Sequence, residues 1–324
     1  MLRAFAAFAL TMIAAPVAAQ QSEPRPLERL ARADQRLLDI GWRLATASAG
    51  LCPDTRPAIG LVLRDVRGFA DPEAVRAEIG QQRDIAIQAV AAHGPAAEAG
   101  LRRDDEVTSL LGTDPNQKPA EPRRDWLRLL ALNEAIDAAL ARHGAIGIAR
   151  SDEAEWRLNG VPACYARFEV AAGNDGAKST GTRVILGERW TAGDVSDDAL
   201  AFLVAHELAH NILKHRLQRE GPRGERPSSK DVEREADRLA PWLMARAGFD
   251  PAGAILFLET FGPGQDGPLY IGTSHDGWKS RRGQAREQID IIAAQNAGTS
   301  IDWQPYFVEE LAAARAAMKR SAPR

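Results

Sequence analysis

Two histidines four residues apart, His206 and His210, constrain this chain more than any other feature. They lie in a run, Ser196 to Leu217, that reads as one helix, with Ser196 or Asp197 available to cap it. At four residues' spacing both imidazoles fall on one face and can reach a single ion. Glu207 sits beside the first of them, placed to reach a water near that ion without binding the ion itself. Zinc favours nitrogen and oxygen donors in a tetrahedron, and reactive sites leave one position to water. His215 is five residues past His210, about 140° away from that face, so it is expected to be structural and not a ligand.

Two imidazoles leave such a site incomplete. After a Gly-, Pro- and Arg-rich loop, Arg219 to Pro227, a second helix is expected, opened by Ser228 and Asp231 as a capping box. Val232, Ala236, Leu239, Ala240 and Leu243 give it an apolar face. Glu233 and Asp237 share another face, whereas Glu235 is about 200° from Glu233 and should point elsewhere. Glu233 is assigned as the third ligand. Asp237 is assigned to the free nitrogen of a ligating histidine, where it would fix the tautomer.

The first twenty residues carry Met1-Leu2-Arg3, an uncharged run from Ala4 to Val17, and small residues up to Ala19. That is the build of a signal peptide over residues 1–19, and the run is short of the ~20 apolar residues of a spanning helix. A mature chain without a stable membrane span, periplasmic or secreted, is expected. Cys52 and Cys164 are the two cysteines. In an oxidising compartment they favour a disulfide over two separate buried thiols. The formal net charge of -3 offers no basic field for nucleic acid.

Between those cysteines lies what reads as an inserted module, residues 52–164, after a scaffold helix within residues 20–51. Strands are expected at Ile59 to Leu63, Asp84 to Val90, Glu106 to Leu111, Ala145 to Ala149 and Glu155 to Leu158. Pro95 can start a helical turn, Gly100 can end it, and Asp125 to Arg142 has a helical period. The segment GPAAEAGLRRDDEV resembles a PDZ domain of the bacterial protease-associated kind, although another small sheet domain could hold the same helix-turn-strand. Asp104 stands where such domains usually have Gly, so the turn there should differ. The resemblance implies capture of peptide ends by strand addition, with the carboxylate loop near Ile59-Gly60-Leu61. Beyond Cys164, Phe168 to Ala171 and Thr182 to Gly187 read as strands, the latter expected to edge the cleft and pair with substrate.

LVAHELAHNILKH followed by DVEREADRLAPWLMARAGFDP resembles the peptidase core of the CAAX prenyl endoprotease family, over about Phe168 to Ala294. The resemblance implies a mostly helical gluzincin fold, one zinc ion and endopeptidase activity in residues 165–324. By position, His206, His210 and Glu233 match the family's ligands, Glu207 its general base and Asp237 its orienting carboxylate. The family's Thr-His-Pro run, with Arg six residues after the His, corresponds to Thr273-Ser274-His275-Asp276 and Arg281. There His275, or less directly Tyr270, would stabilise an oxyanion, or His275 would cap the metal at rest. The expected architecture is thus α+β: a zincin core with a small sheet plus a PDZ-like β-sandwich or barrel. The expected function is zinc-dependent cleavage of proteins or peptides outside the cytoplasm. The rival is a periplasmic peptide-binding, chaperone-like protein with a structural zinc.

Overall fold

A computed structural model describes residues 26–120, 126–150, 155–173, 175–264, 276–295 and 301–321. The leader expected at residues 1–19 lies outside them, as do Tyr270 and His275. Helices and small sheets are mixed along the chain, so the class is α+β. Among the described residues no helix is long and apolar enough to cross a membrane.

The amphipathic first helix, α1 (Pro26–Ala47), buries Leu37, Leu38, Ile40 and Leu44. A strand at Thr55–Ala58 (β1) pairs antiparallel with another at Val161–Cys164 (β7), so the two ends of the inserted segment meet. The pairing sets Thr55 against Cys164, and Cys52 and Cys164 form a disulfide next to it. Neither strand was legible in the sequence. Pro57 faces Pro162 across the ribbon, and proline without an N–H marks strands only at such edges.

Inside the segment come β2 (Leu61–Asp65), α2 (Pro72–Ile79), β3 (Ile85–Val90), α3 (Pro95–Glu98), β4 (Val107–Leu110), α4 (Trp126–His143), β5 (Ala145–Arg150) and β6 (Trp156–Asn159). β2 pairs with β3, and β4, β5 and β6 form a second sheet in that order. Pro95 opens α3 behind Gly94, and Gly100 follows in the left-handed conformation at φ 81°. Asp104 keeps that handedness without glycine, at φ 70°. Asp tolerates the region, and its carboxylate accepts a hydrogen bond from buried Arg64 at 2.8 Å. Ile59, Ile85, Ile87, Leu132, Ile136 and Ile148 belong to an apolar cluster of this segment's own.

The rest of the chain builds a larger cluster around β8 (Arg167–Ala171), β9 (Ala177–Ser179), β10 (Arg183–Gly187), α5 (Glu188–Ala192), α6 (Asp197–Ile212), α7 (His215–Arg219), α8 (Ser229–Arg246), α9 (Gly253–Phe261), α10 (Trp278–Gln295) and α11 (Val308–Ser321). β10 runs between β8, its parallel partner, and β9, its antiparallel one. The expectation that Thr182 to Gly187 edges the cleft is therefore corrected. Both sides of that strand are taken, because β9 forms within the Gly-rich stretch between β8 and β10. The exposed edge passes to β9, which packs near α6. On the other side, Phe168 of β8 presses onto α1 at Gly41, where a Cβ would lie 2.3 Å from its ring.

Candidate metal centre

α6 is buried along nearly its whole length and packs against α8, α9 and α1. Ser196 caps it, its hydroxyl accepting from the Ala199 N–H at 3.2 Å. Ser228 caps α8 in the same way through the Asp231 N–H. With both starts set, the four-residue spacings carry His206 and His210 on one helix and Glu233 and Asp237 on the other into the same seam.

His206 Nε2 lies 3.1 Å from a Glu233 carboxylate oxygen and 3.2 Å from His210 Nε2, and His210 Nε2 lies 3.5 Å from that same oxygen. These donors form a compact triangle, drawn from the one candidate ion-holding cluster found among the described residues. Donors about 2.05 Å from a tetrahedral zinc are separated by about 3.3 Å, so the triangle fits such an ion without rearrangement. Two imidazoles and a carboxylate are also zinc's preferred chemistry.

The far side of His206 is held as well. Its Nδ1 lies 2.9 Å from Asp237 Oδ1, and Arg281 of α10 donates to both Asp237 oxygens at 2.7 Å. Burial alone would raise the Asp237 carboxyl; Arg281, then His206, outweigh it and hold the group far below the usual carboxylate range. Burial likewise opposes charge on His206, yet hydrogen bonds to Asp237 and Glu233 push it up to about 10. The carboxylates that draw a proton to this nitrogen would draw a divalent cation by the same field. Arg281 is thus bound to Asp237, a partner that the sequence reading did not assign to it.

Glu207 is 7% exposed, and its carboxylate has no hydrogen-bond partner among the described residues. Its oxygens are not among the fully buried polar atoms that lack a partner, so the carboxylate keeps some access to water next to the first histidine of the triangle. His275 and Tyr270 lie outside the described residues. Their neighbour Asp276 is bound to Arg234 of α8 at 2.6 Å, which ties the start of the following segment to the helix carrying Glu233.

The expected single helix from Ser196 to Leu217 is broken. α6 ends at Ile212, Lys214 turns left-handed at φ 57°, and α7 starts anew at His215. Neither Gly nor Pro signals the break. It is held by tertiary contacts, among them buried Lys214 donating to Asp54 at 2.8 Å. The break turns His215 back, so that its Nδ1 lies 2.7 Å from His210 Nδ1 and its Nε2 2.9 Å from Glu235. Burial, reinforced by His210, holds the His215 imidazole well below its ordinary value. Glu235 does point away from Glu233's partners, but onto a residue that touches the site. Sequence reasoning missed this link, and also Asn211. The Asn211 amide accepts from Gly181 N–H at 2.7 Å and donates to Arg183 O at 3.1 Å, fastening the β9–β10 turn to α6.

No protein-family model, curated protein or solved structure matches the chain.

Proposed function

We propose that this chain is a zinc metalloendopeptidase acting on proteins or peptides outside the cytoplasm. The observation that carries the reading is the triangle of His206, His210 and Glu233, with Glu207 next to His206 on the same helix. A purely structural metal has no need of that fourth group. The motif resemblance to the CAAX prenyl endoprotease family supports the same reading, as does the disulfide, which suits an oxidising compartment.

One zinc ion per chain, bound by His206, His210 and Glu233, would polarise the scissile carbonyl and make an attacking water more acidic. Glu207 takes the proton from that water and later gives it to the departing amine. Asp237 and Arg281 keep His206 turned with Nε2 toward the site. The open edge of β9 offers backbone groups to an extended substrate strand, in place of the interior β10.

In this reading the inserted segment is a PDZ-like peptide-binding unit. A cavity of about 370 Å³ is lined by residues of β2 and α4 and by Gly60. β2 pairs only with β3 among the described strands, so its other edge is open to an added peptide strand. Residues of α1 and β8, including Asp34 and Arg167, also line the cavity, so a captured peptide end would touch both parts of the chain.

The test is Glu207→Gln assayed on casein beside the parent chain, with and without a chelator. Bound zinc should stay near one per chain while internal cleavage falls at least ~100-fold, and the chelator should stop the parent. Undiminished cleavage by the variant, or chelator-resistant cleavage by the parent, removes the proposal.

A further inference from the structure

We propose that His215 and Glu235 are positioning residues for the metal centre, acting as a two-step relay that fixes the tautomer of His210. The inference rests on reading His206, His210 and Glu233 as metal ligands, and it extends that reading to residues outside the two-helix motif.

The argument is a proton count. A hydrogen bond between two imidazole nitrogens needs one to carry hydrogen and the other a lone pair. His210 Nδ1 and His215 Nδ1 are 2.7 Å apart, so one donates and one accepts. Glu235 settles which. Its carboxylate only accepts when ionised, and it lies 2.9 Å from His215 Nε2, which therefore bears the hydrogen. A neutral imidazole protonated at Nε2 offers Nδ1 as an acceptor. His210 must then donate from Nδ1, which leaves its Nε2 lone pair free. That nitrogen is the one turned toward His206 Nε2 and the Glu233 carboxylate. Each link is a consequence of the one before it.

The two ligating histidines are thereby oriented by different means. His206 is held directly by Asp237, which Arg281 pins. His210 is held through a second imidazole, because no carboxylate is found on its Nδ1. His215 is 2% exposed, so water is poorly placed to replace it. Continuous helix at Lys214 would leave His215 about 140° off the ligand face. The left-handed residue there is what brings the relay into being.

The test compares two pairs of variants in the full chain. His215→Phe removes the acceptor and keeps the bulk, whereas His215→Asn can set an amide oxygen near the place of Nδ1. Glu235→Leu removes the anchor, whereas Glu235→Gln keeps an acceptor. Zinc affinity is measured by competition with a chelator, and imidazole tautomers by long-range proton–nitrogen correlation on metal-free protein. His215→Phe and Glu235→Leu should bind zinc about 10- to 100-fold more weakly, with Asn and Gln recovering most of the loss. In the parent, His210 should carry hydrogen on Nδ1 and His215 on Nε2. Unchanged affinity in Phe and Leu variants, or the opposite tautomers in the parent, overturns the relay while leaving the metal centre intact. A parent chain that binds no zinc overturns the metal centre itself. Should His215→Phe not fold, the Leu and Gln pair decides, since Glu235 is partly exposed at the end of the relay.

Discussion

Replacing Arg281 with Met should expose how much of the site's order depends on one buried ion pair. Asp237 is 2% exposed and Arg281 8%, and two hydrogen bonds of 2.7 Å join them. Solvent screening is slight at that depth. Removing one partner of such a pair costs about 3–5 kcal/mol, because the other charge stays buried. His206 still donates to Asp237, so the lower figure applies, about 3 kcal/mol at neutral pH. At about 2 °C per kcal/mol for a chain of this size, the melting temperature should fall by about 6 °C.

The pH dependence has a definite sign. Asp237 is held below its ordinary range when folded. Its contribution is therefore present above the unfolded value of about 3.9 and is lost as pH falls through the folded one. The gap between parent and Arg281→Met should be widest near pH 7 and should narrow below pH 4. Calorimetry in chelator, at both pH values, reads it without metal. A gap under about 1 kcal/mol at pH 7, or one that grows on acidification, refutes the reasoning.

Other perturbations probe the rest of the fold. Removing the disulfide with Cys52→Ala and Cys164→Ala opens a loop of 112 residues and should cost about 4 kcal/mol, read by urea unfolding; an unchanged midpoint would contradict it. Asp34 sits between the inserted segment and β8, accepting from Gln88 at 2.8 Å and the Val170 N–H at 3.0 Å. Burial raises its carboxyl to about 6 despite those bonds. A raised folded value means stability that is present below the unfolded value and is lost as pH rises through the folded one. From pH 4 to 7 the parent should therefore lose up to about 3 kcal/mol relative to Asp34→Asn, and parallel curves would argue against it.

Much of the candidate centre could be read from spacing alone. One hundred degrees per residue decides which side chains share a helix face, and capping serines set where each face begins. That brings His206, His210, Glu233 and Asp237 to one seam, though it does not decide which carboxylate meets which face of His206. The same arithmetic misled at His215, because it assumes an unbroken helix and the break at Lys214 has no local signal. Lys214 turns where Asp54, 160 positions earlier, receives its ammonium. Strand order failed for a similar reason. The period of Thr182 to Gly187 identifies a strand but not its neighbours, and β9 hides in a stretch rich in Gly. Asp104 is a milder case, since its left-handed φ of 70° has no glycine to announce it.

The central claim is that two helices bring two imidazoles and a carboxylate around one cation. X-ray absorption at the zinc edge of the zinc-loaded chain tests it most directly. The account predicts one zinc per chain with only nitrogen and oxygen neighbours at about 2.0–2.1 Å and scattering from two imidazole rings. A shell without imidazole scattering, or an imidazole signal that survives His206→Ala together with His210→Ala, would contradict it.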